Sequence, residues 1–217
     1  LKYYYPVEFM AALMTSVIDN PGKVAEYIYT CKEMGIKLLP PDINKGYGNF
    51  SVDGGDIRYG LAAIKSIGRS VIDDIIRERE AGGEFKNLRD FAERMSGKDI
   101  NKRTIENFIK SGAFDCFSGT RKQHMMVYLQ ILDQINQEKK YSMAGQMSLF
   151  DIVDEDQRKE FDIQFPDVGE YEKETMLAFE KEVLGVYVSG HPLEEYEERW
   201  KKAITATTHD FQYDDET

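Results

Sequence analysis

Two cysteines in 217 residues, Cys31 and Cys116, are too few and too far apart to staple a small fold with disulfides. They are expected as small buried or half-buried side chains. With no secretion-signal pattern at the start, they point to a reducing, cytoplasmic setting. No stretch of ~18 apolar residues occurs, so neither a membrane-spanning helix nor a membrane partner is expected. Positive charge is short as well: the net charge is −11, the wrong sign for a chain that grips a polyanion along its whole length. His124, His191 and His209 lack metal-ligand spacing and are expected in structural roles. Asp73 and Asp74 project about 100° apart on a helix, and Asp154-Glu155-Asp156 falls in a charged stretch, so both groups are expected to be solvated rather than paired over a metal. Gly46-Tyr47-Gly48 lacks the strand-to-helix setting of a phosphate-binding glycine loop. No cofactor is expected in this segment.

What the chain does have is helical periodicity and an uneven charge distribution. Its 41% hydrophobic and 31% charged content suits one or two small folded domains. Residues 1–150 hold 21 basic and 19 acidic side chains, a net of +2; residues 151–217 hold 7 and 20, a net of −13. Partner arguments therefore belong to segments rather than to the chain. Val7, Met10, Met14 and Val17 predict a helix over 7–17. Asn20-Pro21 reads as the cap and first position of a second helix, closed by Gly35. Pro40-Pro41 ends any regular element after it. Residues 50–52 and 56–59 flank Gly54-Gly55 as a small β-hairpin. Helices are then predicted over 60–66, 69–80, 87–95, 101–111 and 119–138, joined by short glycine-bearing links. From Lys139 to Gly169, Gly145, Pro166 and many acids read as a linker. Helical spacing returns over 171–188, breaks at Ser189-Gly190-His191-Pro192, and resumes with Leu193, Tyr196 and Trp200.

Ile64-Lys65-Ser66-Ile67-Gly68-Arg69-Ser70-Val71-Ile72 resembles a helix-hairpin-helix motif. Ile67 is expected to fill the space between two helices, and Gly68 to let a phosphate approach without a Cβ in the way. The amides of Gly68, Arg69 and Ser70 are left free at a helix start, where unpaired N–H groups and the helix dipole favour an anion. Lys65 and Arg69 add charge beside it. Ser66 stands where the motif usually has glycine. Such a grip is on the nucleic-acid backbone and blind to base sequence. A second, degenerate hairpin runs from Asn101, a plausible cap, to Asp115 and on to Gly119-Thr120-Arg121-Lys122. Its candidate contacts are Lys102, Arg103, Lys110, Gly112, Gly119, Arg121 and Lys122. Alone it reads as a solvated helix face; paired with the first, it resembles an arrangement that clamps both strands of a duplex across the minor groove.

Gln146-Met147-Ser148-Leu149-Phe150 resembles the Q-x-x-L-F peptide with which bacterial polymerases dock on the sliding clamp. A peptide in a linker can order on contact. Leu149 and Phe150 would supply about 1.5–3 kcal/mol each if fully buried, and the Gln146 amide fixes register by both donating and accepting.

Taken jointly, these segments resemble the alpha subunit of bacterial DNA polymerase III, of the DnaE type. The resemblance spans nearly the whole chain and includes the runs Tyr5–Met14, Leu39–Asn44, Tyr59–Lys65, Ile109–Asp115, Glu182–Tyr187 and Ser189–Pro192. It implies a mainly α fold: a tandem helix-hairpin-helix bundle with a small β-hairpin, followed by a flexible linker and further helices. Residues 1–50 would be the end of the polymerase fingers, 51–138 the hairpin module, 139–169 the linker with the clamp peptide, and 170–217 helices leading to an OB domain outside this chain. The internal clamp peptide favours the DnaE type over the PolC type. The family reaction is metal-assisted nucleotidyl transfer, and the resemblance puts its magnesium and palm aspartates upstream of Leu1. The segment alone is therefore expected to be inactive and to hold no metal. Its expected partners are duplex or primed DNA, the sliding clamp (the beta subunit) and the other replicase subunits. Two other readings fit the same residues: a stand-alone helix-hairpin-helix repair adapter, and a protein-interaction module whose hairpins are merely structural.

Overall fold

Proline at the first turn opens both N-terminal helices, α1 (Pro6–Ser16) and α2 (Pro21–Glu33). Its fixed φ and missing N–H suit that position. Asn20 Oδ1 accepts the Lys23 amide at 3.1 Å and caps α2, as its sequence context implies. Met10, Ala11 and Met14 of α1 and Val24 and Cys31 of α2 form their buried faces. The computed structural model describes residues 3–143 and 164–193.

Three short strands follow: β1 (Leu38–Leu39), β2 (Ser51–Asp53) and β3 (Asp56–Arg58), in the order β1-β3-β2. β2 and β3 are the expected antiparallel hairpin, with Val52 opposite Ile57. Gly54 and Gly55 both take positive φ, 63° and 94°, which a two-residue turn of this twist demands. β1 was not anticipated, because two residues carry no period. It joins β3 in parallel, with Leu38 opposite Ile57. The Ile57 amide donates to Lys37 O and the Tyr59 amide to Leu39 O, both at 3.0 Å.

The remaining described helices are α3 (Arg69–Gly82), α4 (Leu88–Arg94), α5 (Lys102–Ser111), α6 (Arg121–Met143) and α7 (Lys173–Leu184). The helix expected over 60–66 does not form; a 3-10 turn, Leu61–Ala63, takes its place. Distant carbonyls capture amides here: those of Leu61 and Ala62, which a helix starting at residue 60 would leave unpaired, and that of Lys65, which such a helix would bond to Leu61 O. Leu61 N donates to Tyr47 O (2.8 Å), Ala62 N to Gly48 O (3.0 Å) and Lys65 N to Val183 O (2.8 Å). α6 continues beyond residue 138 to Met143, into the stretch read as linker. Good helix formers fill those positions and no breaker comes before Gly145. Residues 164–169, also read as linker, lie against α6: Pro166 O accepts Gln123 Nε2 at 2.9 Å, and the Phe165 ring sits 5.4 Å from that of His124. The helix expected around Leu193–Trp200 falls mostly outside the described residues.

A continuous core joins these elements. Phe85, Phe91, Phe108, Phe114 and Phe117 meet in successive edge and stacked contacts, with Phe91 5.0 Å from both Phe85 and Phe114. Ile57, Tyr59, Leu61, Ile64 and Ile67 extend it on one side, and Val183, Leu184 and Val186 on another. Tyr59 reaches across to donate its hydroxyl to Leu184 O at 3.3 Å. α7 therefore packs into the same core as the hairpin helices. Cys31 is buried and Cys116 is exposed, against the expectation that both are covered; neither is in a disulfide. Among the described residues no helix is long and apolar enough to cross a membrane.

Candidate nucleic-acid interface

The first corner is built on a tight turn. Ile67 N donates to Ile64 O at 3.4 Å, and Ser66, third in the turn, has φ 64°. That is type II geometry, whose third residue calls for positive φ and hence glycine. The motif's usual glycine at this position thus has a local cause, and Ser66 occupies it under strain. Ile67 is 8% exposed and packs in the core with Val71 and Ile72, the plugging role expected of it. Gly68 caps α3 in an extended conformation with no side-chain cap. The amides of Gly68, Arg69 and Ser70 have no acceptor among the described residues. Ser66, Gly68, Arg69 and Ser70 are all exposed. A Cβ on Gly68 would meet only Ser70 Oγ, at an ordinary 3.7 Å, so nothing inside the protein requires glycine there. Lys65 is exposed, but its Nζ donates to Glu182 O at 2.6 Å. Asn107 of α5 donates to Lys65 O at 2.7 Å and ties the second hairpin to this corner.

The second corner is different. Asn101 caps α5, its Oδ1 accepting the Thr104 amide at 3.0 Å. Lys102 and Arg103 face solvent. Lys102 lies 3.9 Å from Asp133, both side chains over half exposed, a pair worth little in water. Arg103 has no side-chain partner among the described residues.

Lys110, Gly112 and Arg121, expected as DNA contacts, turn inward. Lys110 Nζ sits 2.9 Å from both Glu106 and Glu182 and 5.4 Å from the Phe179 ring centre. Burial works against its charge, but the two glutamates outweigh it and raise the pKa. Gly112 is buried at φ 82°, and a Cβ there would collide with the Arg121 guanidinium. Arg121 is 4% exposed. Its Nε and Nη2 donate to the two Asp115 oxygens at 2.9 and 2.6 Å, Nη1 donates to Lys110 O at 3.3 Å, and Glu180 lies 3.5 Å away. Burial opposes this charge too; Asp115, Glu180 and Glu170 overcome it and push the pKa up.

The start of α6 is already taken. Glu170 accepts the Arg121 amide on Oε2 at 2.8 Å and the Lys122 amide on Oε1 at 3.1 Å. The Lys122 ammonium rests 5.9 Å from the Tyr171 ring centre. Gly119 is exposed, beside Phe165 and His124. His124 is buried, its Nε2–H donating to Ser118 O at 3.0 Å, and burial lowers its pKa. Glu170, Glu180 and Glu182 are the functional neighbours that sequence reading missed. They stand 48 or more residues from the groups they meet, and locally they look like an acidic helix face.

Asp73 is exposed, while Asp74, expected to be solvated, pairs with Arg77 at 2.8 Å. Among the described residues no three His, Cys, Asp or Glu are grouped to hold a metal ion. Gln146, Met147, Ser148, Leu149 and Phe150 lie outside the described residues.

A family model described as helix-hairpin-helix motif covers residues 35–124. The chain is 40% identical over 193 residues to DNA polymerase III subunit alpha of Mycobacterium leprae, which covers 89% of this chain and 16% of that protein. Against the protein of that name from Vibrio cholerae it is 40% identical over 197 residues, 90% of this chain and 17% of the relative. Against that from Thermus aquaticus it is 39% identical over 196 residues, 90% and 15%. The chain thus spans about a sixth of the length of these curated relatives. It is homologous to one segment of DNA polymerase III subunit alpha and itself carries a helix-hairpin-helix region.

Proposed function

We propose that this chain is the part of a replicative DNA-directed DNA polymerase that holds duplex DNA without regard to sequence and docks on a sliding clamp, supporting processive synthesis while performing no chemistry itself. In this reading it works beside magnesium-dependent catalytic residues elsewhere in the parent enzyme. The observation that carries the DNA-binding half is the bare corner at residues 66–70. Three amides without acceptors among the described residues and the positive end of α3 form a seat for an anion. Gly68 leaves that seat open although neither its φ nor any neighbour demands glycine. Arg69 lies beside it, and Lys102 and Arg103 supply further exposed charge. A site of amides and mobile cations reads phosphates, not base edges.

The clamp half rests on the motif Gln146-Met147-Ser148-Leu149-Phe150. A DNA grip and a clamp peptide on one chain reinforce each other, since binding at one site raises the effective concentration at the other.

Both halves can be measured on the 217-residue chain. Titration of a labelled duplex across a salt series should give an affinity that falls with salt, with a log–log slope near −0.9 per phosphate contacted. The affinity should be indifferent to base sequence. Salt-independent binding would sink the DNA reading. Leu149→Ala with Phe150→Ala should abolish clamp pull-down while circular dichroism stays unchanged. Undiminished capture of the clamp by that variant would refute the docking peptide.

A further inference from the structure

We infer that the stretch from Glu170 to Glu182 is an internal mask: it lays the chain's own carboxylates where the second hairpin would otherwise take phosphates, leaving DNA to be gripped at the first corner. This rests on the reading that the first corner binds DNA. Both oxygens of Glu170 occupy the Arg121 and Lys122 amides, which belong to the free N–H groups at the start of α6. Glu182 holds Lys110 at 2.9 Å through its carboxylate and Lys65 at 2.6 Å through its carbonyl. Glu180 faces Arg121 at 3.5 Å. Four of the residues that the hairpins offer an anion are thus met by one acidic stretch. A carboxylate seated on helix-terminal amides makes the charge-assisted hydrogen bonds a phosphate oxygen would make there.

The mask has a fixed frame and removable tips. Glu180 is fully buried, and its Oε2 accepts the Val188 and Ser189 amides at 2.9 and 3.0 Å. Leu177, Val183 and Leu184 anchor α7 around it. Glu170 and Glu182 are exposed, and their charge can be removed without opening the core. Outside the mask, Arg69, Lys102 and Arg103 remain exposed and available.

The test uses the whole chain and a labelled duplex across a salt series. Glu170→Gln with Glu182→Gln should bind several-fold more tightly at low salt than the parent. The log–log slope should steepen by about one to two units, as each regained phosphate contact adds about 0.9. A control pair, Glu33→Gln with Glu80→Gln, removes the same charge from exposed positions on α2 and α3 and should leave the slope within error. An equal gain in the control, or no gain in the test pair, overturns the mask while the first-corner grip stands. Absence of binding by parent and both variants overturns the grip and the mask together. A silent parent with binding by the test pair overturns the first-corner grip and places binding at the second hairpin alone. If the double variant melts earlier than the parent, Glu182→Gln alone carries the same comparison.

Discussion

Ser66 sits at φ 64°, a left-handed conformation that costs a residue with a Cβ about 1–2 kcal/mol. Its side chain makes no hydrogen bond among the described residues to offset that. Glycine would remove the strain but bring back about 0.4–1 kcal/mol of unfolded-chain freedom. Ser66→Gly should therefore stabilise the chain by up to about 1 kcal/mol, seen as a higher urea midpoint with an unchanged slope. A lower midpoint would mean that the hydroxyl supports the corner in a way the strain argument omits. The residues whose roles were legible in the sequence are those with local causes. Asn20 and Asn101 cap helices three residues away, and Ile67 plugs the turn it belongs to. Arg121 was misplaced because only part of its enclosure, Asp115, is near in sequence, while Glu180 comes from α7. A basic residue at a helix start reads as solvent-facing until Asp115 and Glu180 close around it.

At the scale of elements, short-range periodicity located the described α-helices to within a few residues, and it failed where long-range hydrogen bonds took over, as at 60–66. α6 shows how an element gains a pH response from its packing. Its first turn carries His124 inward, between Phe117 and Phe165, and burial holds the ring's pKa below its ordinary 6.5. The unfolded chain then takes up the proton more readily than the folded one. Stability from the neutral ring is complete above the unfolded value, and it is lost as pH falls through 6.5 toward the lower folded value. The thermal midpoint should decline as pH is lowered from about 7 to about 5. His124→Gln, which keeps a donor for Ser118 O, should flatten that decline. An equal decline in both proteins would assign it to carboxylates instead.

At the scale of the whole molecule, the linker expected between the hairpins and the last helices divides the sequence but not the described core. The Lys65 amide bonds to Val183 O, Tyr59 to Leu184 O, and Glu180 closes on Arg121. Burying an aliphatic side chain of this size contributes about 1.5–3 kcal/mol. Val183, Leu184 and Val186 are each nearly inaccessible, so with Leu177 they contribute on the scale of the ~5–15 kcal/mol that keeps a typical domain folded. Ending the chain before α7 would also leave Arg121 with Asp115 alone of the three carboxylates that hold its charge, a change that is strongly destabilising for a buried charge. A chain ending at Met143 should therefore unfold at a much lower urea concentration than the 217-residue chain, with a shallower transition followed by circular dichroism. A shortened chain that unfolds at the same midpoint and with the same slope would show that the hairpins form a self-sufficient module. The acidic stretch would then be an accessory laid over that module, free to leave when DNA arrives. A large loss would instead make α7 part of the scaffold that holds the first corner in shape, so that Glu170 and Glu182 could yield to phosphate only by side-chain movement on a fixed helix.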